Sequence, residues 1–136
     1  MSIKLEKSQL AGIIIALVLI GTGLIWALSN KNKLLAVHKI TNALVNDCYS
    51  GGRGYLGTTI LYKFALDGKE VNGSAAFSYN ALNLSNAKAY ILGKTFPVVY
   101  DPQHPLNNLI LIRQKDFMQF SIPMPDSLRW LLKYVH

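Results

Sequence analysis

Hydrophobic positions fall along this chain in two unlike patterns. From Ser8 to Asn30 no residue is charged, and the nineteen residues Leu10 to Leu28, LAGIIIALVLIGTGLIWAL, are apolar on every side of a helix. At 1.5 Å per residue they make ~28 Å, close to the roughly 30 Å hydrocarbon thickness of a bilayer. A single segment in lipid must pair its own backbone amides, which only a helix does. The run therefore predicts a transmembrane helix over about 10–28, with Trp26 placed for the aromatic belt at the membrane interface. The rival reading is a cleavable secretory signal, for which Ala27 and Ser29 offer a small-x-small site. Such signals usually hold only ~7–15 apolar residues, so a retained anchor is expected. A buried helix of a soluble protein would need apolar neighbours on all faces, more than a chain this short supplies.

Beyond the run the period changes from helical to alternating. A first strand is expected from Val37 through Ile40, Leu44 and Val45 to near Tyr49, then a glycine-rich loop at 50–54. From Tyr55 to Leu66, the residues Leu56, Thr58, Ile60, Tyr62, Phe64 and Leu66 share one face, the mark of a half-buried strand. Asp67-Gly68 follows, the strongest short hairpin signal. A two-residue turn there pairs Leu66 with Lys69, Phe64 with Val71, Tyr62 with Gly73, Ile60 with Ala75 and Thr58 with Phe77. Turn chemistry and apolar pattern thus select the same register. Between Tyr79 and Gly93 the alternation stops, and Ser85 to Leu92 reads as two helical turns with Ser85 as N-cap and Gly93 just past the end. Strands return at Thr95 to Tyr100 and Leu106 to Ile112, with a further short strand at Phe117 to Ile122. After Pro123 and Pro125, Asp126 is expected to cap a last segment, Ser127 to Val135. The predicted fold is mainly β: an N-terminal transmembrane helix, then a small antiparallel module, a partly open barrel or sandwich with one short helix. Its parts are a tail and helix at 1–33, the β module at 34–122 and an amphipathic C-terminal segment at 123–136.

Charge changes this picture only slightly. The net charge is +7, and Lys4, Lys7 and Glu6 account for +1 of it, so +6 lies beyond the helix. The basic residues are dispersed singly, which suits solubility and nearness to a membrane and does not point to nucleic acid. Lys31, Lys33 and Lys39 follow the apolar run and Lys4 and Lys7 precede it. The positive-inside rule therefore leans, by one lysine, towards a cytoplasmic C-terminal module. Cys48, the one cysteine, forms no intramolecular disulfide and is expected to be a small buried residue.

Candidate chemistry is sparse. Asp101 and His104 stand three apart beside Tyr100, the pair a hydrolase or transferase would use. The preferred reading is a structural turn, which explains every residue of the stretch: Asp101 accepts from backbone amides and Pro102 presets φ, with Pro105 closing the loop. Asp67 and Gly68 are likewise structural turn residues. His38, His104 and His136 are too scattered for a metal site, and Gly93-Lys94-Thr95 lacks the earlier glycine and the following helix of a phosphate loop. No catalytic residue, metal or cofactor is expected. Arg129, Trp130 and Lys133 give the C-terminal segment the flanks of an interfacial helix in contact with lipid. Packing on its own module is the preferred reading.

The stretch Phe64-Ala-Leu-Asp-Gly-Lys-Glu-Val-Asn-Gly73, a loop holding Ala87 and Tyr90, and Gly93-Lys-Thr-Phe-Pro-Val-Val-Tyr-Asp-Pro-Gln-His-Pro105 together resemble the domain of unknown function 3592 family. That resemblance covers roughly Val37 to Ile112. It implies a membrane helix, a hairpin with Gly-Lys at its turn and a Tyr-Asp-Pro-x-x-Pro element leading into a strand, and it carries over no catalytic residue. The function expected from the whole sequence is a single-pass membrane protein. The bilayer holds the helix at 10–28, and the β module binds another protein through sheet edges and the loops at 50–54 and 80–92, without catalysis.

Overall fold

The computed structural model describes residues 7–51 and 57–136. The chain divides between Lys33 and Leu34 into two compact units. The first is nearly all of helix α1, Lys7–Ala36, whose stretch Ala11–Ala36 is long and apolar enough to cross a membrane. Its large apolar side chains, Ile13 to Leu28, are exposed to the surroundings. The helix outruns the expected end at Leu28 by two turns. Asn30, Lys31, Asn32 and Lys33 end the apolar run but not the hydrogen-bonded backbone, which polar side chains on a helix surface do not interrupt.

The second unit is an antiparallel sheet of five strands, β1 Lys39–Ser50, β2 Gly57–Leu66, β3 Lys69–Ser78, β4 Thr95–Tyr100 and β5 Asn108–Ile110, in the order β3-β2-β1-β4-β5. A three-strand meander whose fourth strand returns beside the first is a Greek key. Here the sheet curls until β3 and β5 approach each other, making a nearly closed barrel. The β2–β3 register is the expected one at every pair, from Leu66 with Lys69 to Thr58 with Phe77. Asp67 and Gly68 both take positive φ, 49° and 76°, as a two-residue turn between twisted strands requires.

Strand β1 is shared. Lys39 to Leu44 pair with β4, and Leu44 to Ser50 pair with β2. Asn46 is an extra residue between the pairs Val45–Tyr62 and Asp47–Leu61, a bulge that shifts the side-chain alternation by one. Ala43, Val45 and Cys48 therefore all point inward, while Ile40 and Leu44, apolar in sequence, lie outside. The interior is filled by these with Ile60, Tyr62, Phe64, Phe77, Phe96, Val98 and Ile110. On the outer side of β4 and β5, Val99 and Leu111 pack with Phe117, Phe120 and Leu34, the last turn of α1.

Three sequence expectations are corrected. Phe117 to Ile122 is not a strand: α2 is the short helix Leu84–Asn86, and Gln114–Gln119 forms a second one, α3. The Asp116 carboxylate there accepts the Arg113 amide (3.0 Å) and its guanidinium (2.7 Å), fixing a helical first turn that the apolar pattern alone does not reveal. The helix of the insert after β3 is capped two residues earlier than expected, by Asn83, not Ser85, accepting from the Asn86 amide at 2.8 Å. It continues as a π-helical turn, Ala87–Ile91. Finally, the C-terminal segment is a 3-10 helix, Asp126–Lys133, led in by Pro125. Asp126 bonds Arg129 (2.8 Å) rather than capping, and Leu131 is buried with Leu128, Trp130 and Tyr134 against the barrel core.

Register sorts the module into two ends. The chain arrives at Leu34 and enters β1 at Lys39, which pairs with Tyr100. The β4–β5 loop leaves from there, and the β2–β3 turn projects the same way, so these form the proximal end. Gly93 and Lys94 bond Val45, six residues and ~20 Å along β1 from Lys39. With Ser50 and Ser78 they belong to the distal end.

Candidate functional site

At the proximal end the sequence Tyr100-Asp-Pro-Gln-His-Pro-Leu-Asn folds on itself. The Asp101 amide donates to Asn107 O (3.0 Å), and the His104 amide donates to Asp101 O (3.2 Å). The Asp101 carboxylate, buried, accepts the Gln103 amide at 2.9 Å, the two-residue reach of an Asx turn. That amide bond holds the Asp101 pKa below the ordinary carboxylate value; burial opposes it, and the His104 amide and imidazole reinforce it. The His104 ring is largely exposed, with Nδ1 3.5 Å from the carboxylate. Asp101 and His104 are thus brought together, but the carboxylate is already used by the backbone, and Pro102 and Pro105 shape the loop around it.

The next strand carries a feature that sequence reasoning missed. Tyr62 on β2 faces Gly73 on β3, and its ring crosses the space a side chain at 73 would fill. It donates its hydroxyl to Asn108 Oδ1 on β5 at 2.7 Å. A Cβ on Gly73 would overlap both the Tyr62 ring and the Asn108 amide. Asn108 is held in turn by donating to Pro105 O (2.9 Å) and Leu106 O (3.2 Å). Burial pushes the Tyr62 pKa far above the ordinary phenol value, and the Ile110 backbone offsets this only in part. Outside this closure lies a cleft of about 340 Å³ lined by Leu61, Asn72, Gly73, Ser74, Leu106 and Asn108. The signal was present in the hairpin register, which set the largest inward ring of β2 opposite a glycine.

At the distal end the C-terminal segment joins residues from the insert. Lys94 Nζ sits 4.4 Å from the Trp130 ring centre, Tyr90 stacks on Tyr134 at 3.9 Å, and Trp130 meets Tyr134 edge-on. The bond to Tyr134 raises the Tyr90 pKa. Arg129 is spent on Asp126, and Lys133 is exposed. Trp130 is therefore packed on Lys94 and Tyr134, while Leu128 of the same helix packs on the cluster of Leu34, Val99 and Leu111. Trp26 is exposed on α1. Of the loops expected to meet a partner, 80–92 is the capped insert, and 52–54 lie outside the described residues.

Comparison with family models, curated proteins and solved structures finds no match to this chain. Cys48 is buried, and desolvation with the neighbouring Asp47 raises its thiol pKa, the opposite of what a nucleophile needs. Among the described residues no group of three His, Cys, Asp or Glu side chains is placed to hold a metal ion.

Proposed function

We propose that this chain is a single-pass membrane protein whose β module binds another protein at the membrane and catalyses no reaction. The observation that carries the reading is α1: an apolar helix of spanning length with its large side chains exposed. Such a surface is stable only in lipid or against a partner. The committed state of Asp101 supports a scaffold role for the loop at 101–107, and a module built of paired strands and short capped turns offers surfaces more readily than a reaction centre. Kinship with the domain of unknown function 3592 family rests on the Tyr100-Asp-Pro-x-x-Pro105 turn and the Gly68-Lys69 hairpin. The one-lysine excess after the helix favours a cytoplasmic module.

The test is a pull-down of the full chain in mild detergent, tagged in turn at each end. Specific recovery of a partner from both supports the reading, and recovery of nothing beyond background from either removes it.

A further inference from the structure

We propose that the proximal end of the barrel rests on an anionic bilayer surface, with Leu106 set among the lipid headgroups and Lys39 and Lys69 contributed by the same end of the barrel. This builds on the reading of residues 10–28 as a membrane anchor. Leu106 is 83% exposed, more than any other large apolar side chain among the described residues. It is not on a loose tip. Asn107 donates to His104 O (2.8 Å), and Asn108 grips Pro105 O and Leu106 O, so the loop holds Leu106 outward in a fixed position. Val37 and Ile40, 62% and 51% exposed, lie where the chain arrives at the same end. An apolar surface held rigidly in water costs free energy, and at this end the bilayer is what a membrane-anchored chain brings within reach.

Charge fits the same occupant. Among the described residues neither Lys39 nor Lys69 has a carboxylate within ion-pair distance. The acids of this end are largely occupied: Glu70 pairs with Lys63 at 3.2 Å and Asp101 is folded into its turn, leaving Asp67 at the hairpin tip. Lysines near an anionic surface add attraction that falls off within a Debye length. The distal cluster of Lys94 and Trp130, by contrast, is ~20 Å along β1 from Lys39. The basic-aromatic segment that the sequence offers for lipid is the less suitable one.

The experiment uses the full chain in nanodiscs of phosphatidylcholine, with and without one quarter phosphatidylglycerol. Single spin labels are placed through Leu106→Cys, Leu132→Cys and Ile15→Cys, both in a Cys48→Ala background and with the buried Cys48 retained. Accessibility to oxygen and to a water-soluble nickel chelate then reports depth. The expected result is a label at 106 shielded from nickel, a label at 132 open to it, and shielding at 106 that weakens in Lys39→Gln/Lys69→Gln or without phosphatidylglycerol. If 106 is as nickel-accessible as 132 while 15 is in lipid, the docking is overturned and the anchor stands. If 15 is also open to nickel, both fall. Shielding at 106 that is equal in neutral nanodiscs removes the role of the lysines.

Discussion

Strand β3 has two neighbours and is joined to them by different means. To β2 it is joined along its whole length, with ten register pairs from Lys69 to Ser78. To β5, which runs parallel to it across the barrel seam, no register pair joins it among the described residues, and side chains bridge the gap. Tyr62 reaches under Gly73 to Asn108. Further along, the Arg113 guanidinium lies 5.1 Å from the Phe77 ring centre while clasping the buried Asp116. The first joint spreads its energy over many weak, equivalent backbone bonds. The second concentrates it in a few residues, so single substitutions should act very unequally on the two sides.

The largest effect is expected from Arg113→Ala. It leaves the Asp116 carboxylate, 2% exposed, without its cation, a loss of about 3 kcal/mol. Urea unfolding of the full chain in detergent, followed by circular dichroism of the β signal, measures it. Gly73→Ala comes next, at about 1–3 kcal/mol, because the new methyl has no room between Tyr62 and Asn108. An unchanged midpoint for this variant would mean that the seam is slack and the comparison misdrawn. Tyr62→Phe keeps the ring but leaves the Asn108 carbonyl without its donor, for about 1–2 kcal/mol. Paired with Asn108→Ala in a double-mutant cycle, it isolates the strength of the closing bond.

Asp101→Asn probes the turn that delivers β5 to the seam. A carboxylate whose folded pKa is depressed stabilises above its ordinary value of ~3.9, and that contribution is lost as pH falls through the folded value. The variant should therefore lose stability near neutrality, where the ionised carboxylate contributes, and flatten the acid limb so that its profile meets the parent's at low pH, in unfolding curves taken from pH 7 down to pH 2. Smallest of all is Lys63→Ala on the hairpin side. Its pair with Glu70 is exposed on both partners and should contribute no more than ~0.5 kcal/mol.

The same contrast explains what could be read from sequence. Asp67-Gly68 specifies a turn type, the turn fixes a register, and the alternation from Thr58 to Leu66 checks it, so the hairpin was legible residue by residue. Thr95 to Tyr100 was legible for the same reason, as a short apolar run between turn residues. The seam was not, because it depends on β3 and β5 meeting after the sheet has curled. Nothing local to Asn108 or Arg113 announces that partner. Helix α3 was misread as a strand because Phe117, Phe120 and Ile122 are apolar at spacings that fit either period. The deciding Arg113–Asp116 clasp is polar and so was invisible to a hydrophobic pattern. The bulge at Asn46 escaped for a related reason: Val45 and Cys48, three apart, share the inner face only because the ladder passes over Asn46. The Asp101 turn was legible in chemistry, since Asp-Pro predicts the amide bond that forms, whereas the cleft beside Leu106 required the tertiary closure.

Strand β1 has a mechanical consequence. The chain reaches the module at Leu34 and is in the central strand by Lys39, where six consecutive residues, Lys39 to Leu44, are laddered to β4 before the bulge. A pull applied along β1 from Lys39 loads that ladder in shear, its bonds sharing the force instead of opening one after another as at a peeled edge. Beyond the bulge the pairs with β2 take up the load. The chain thus enters the module through its central strand, the one held by ladders on both sides rather than at an edge.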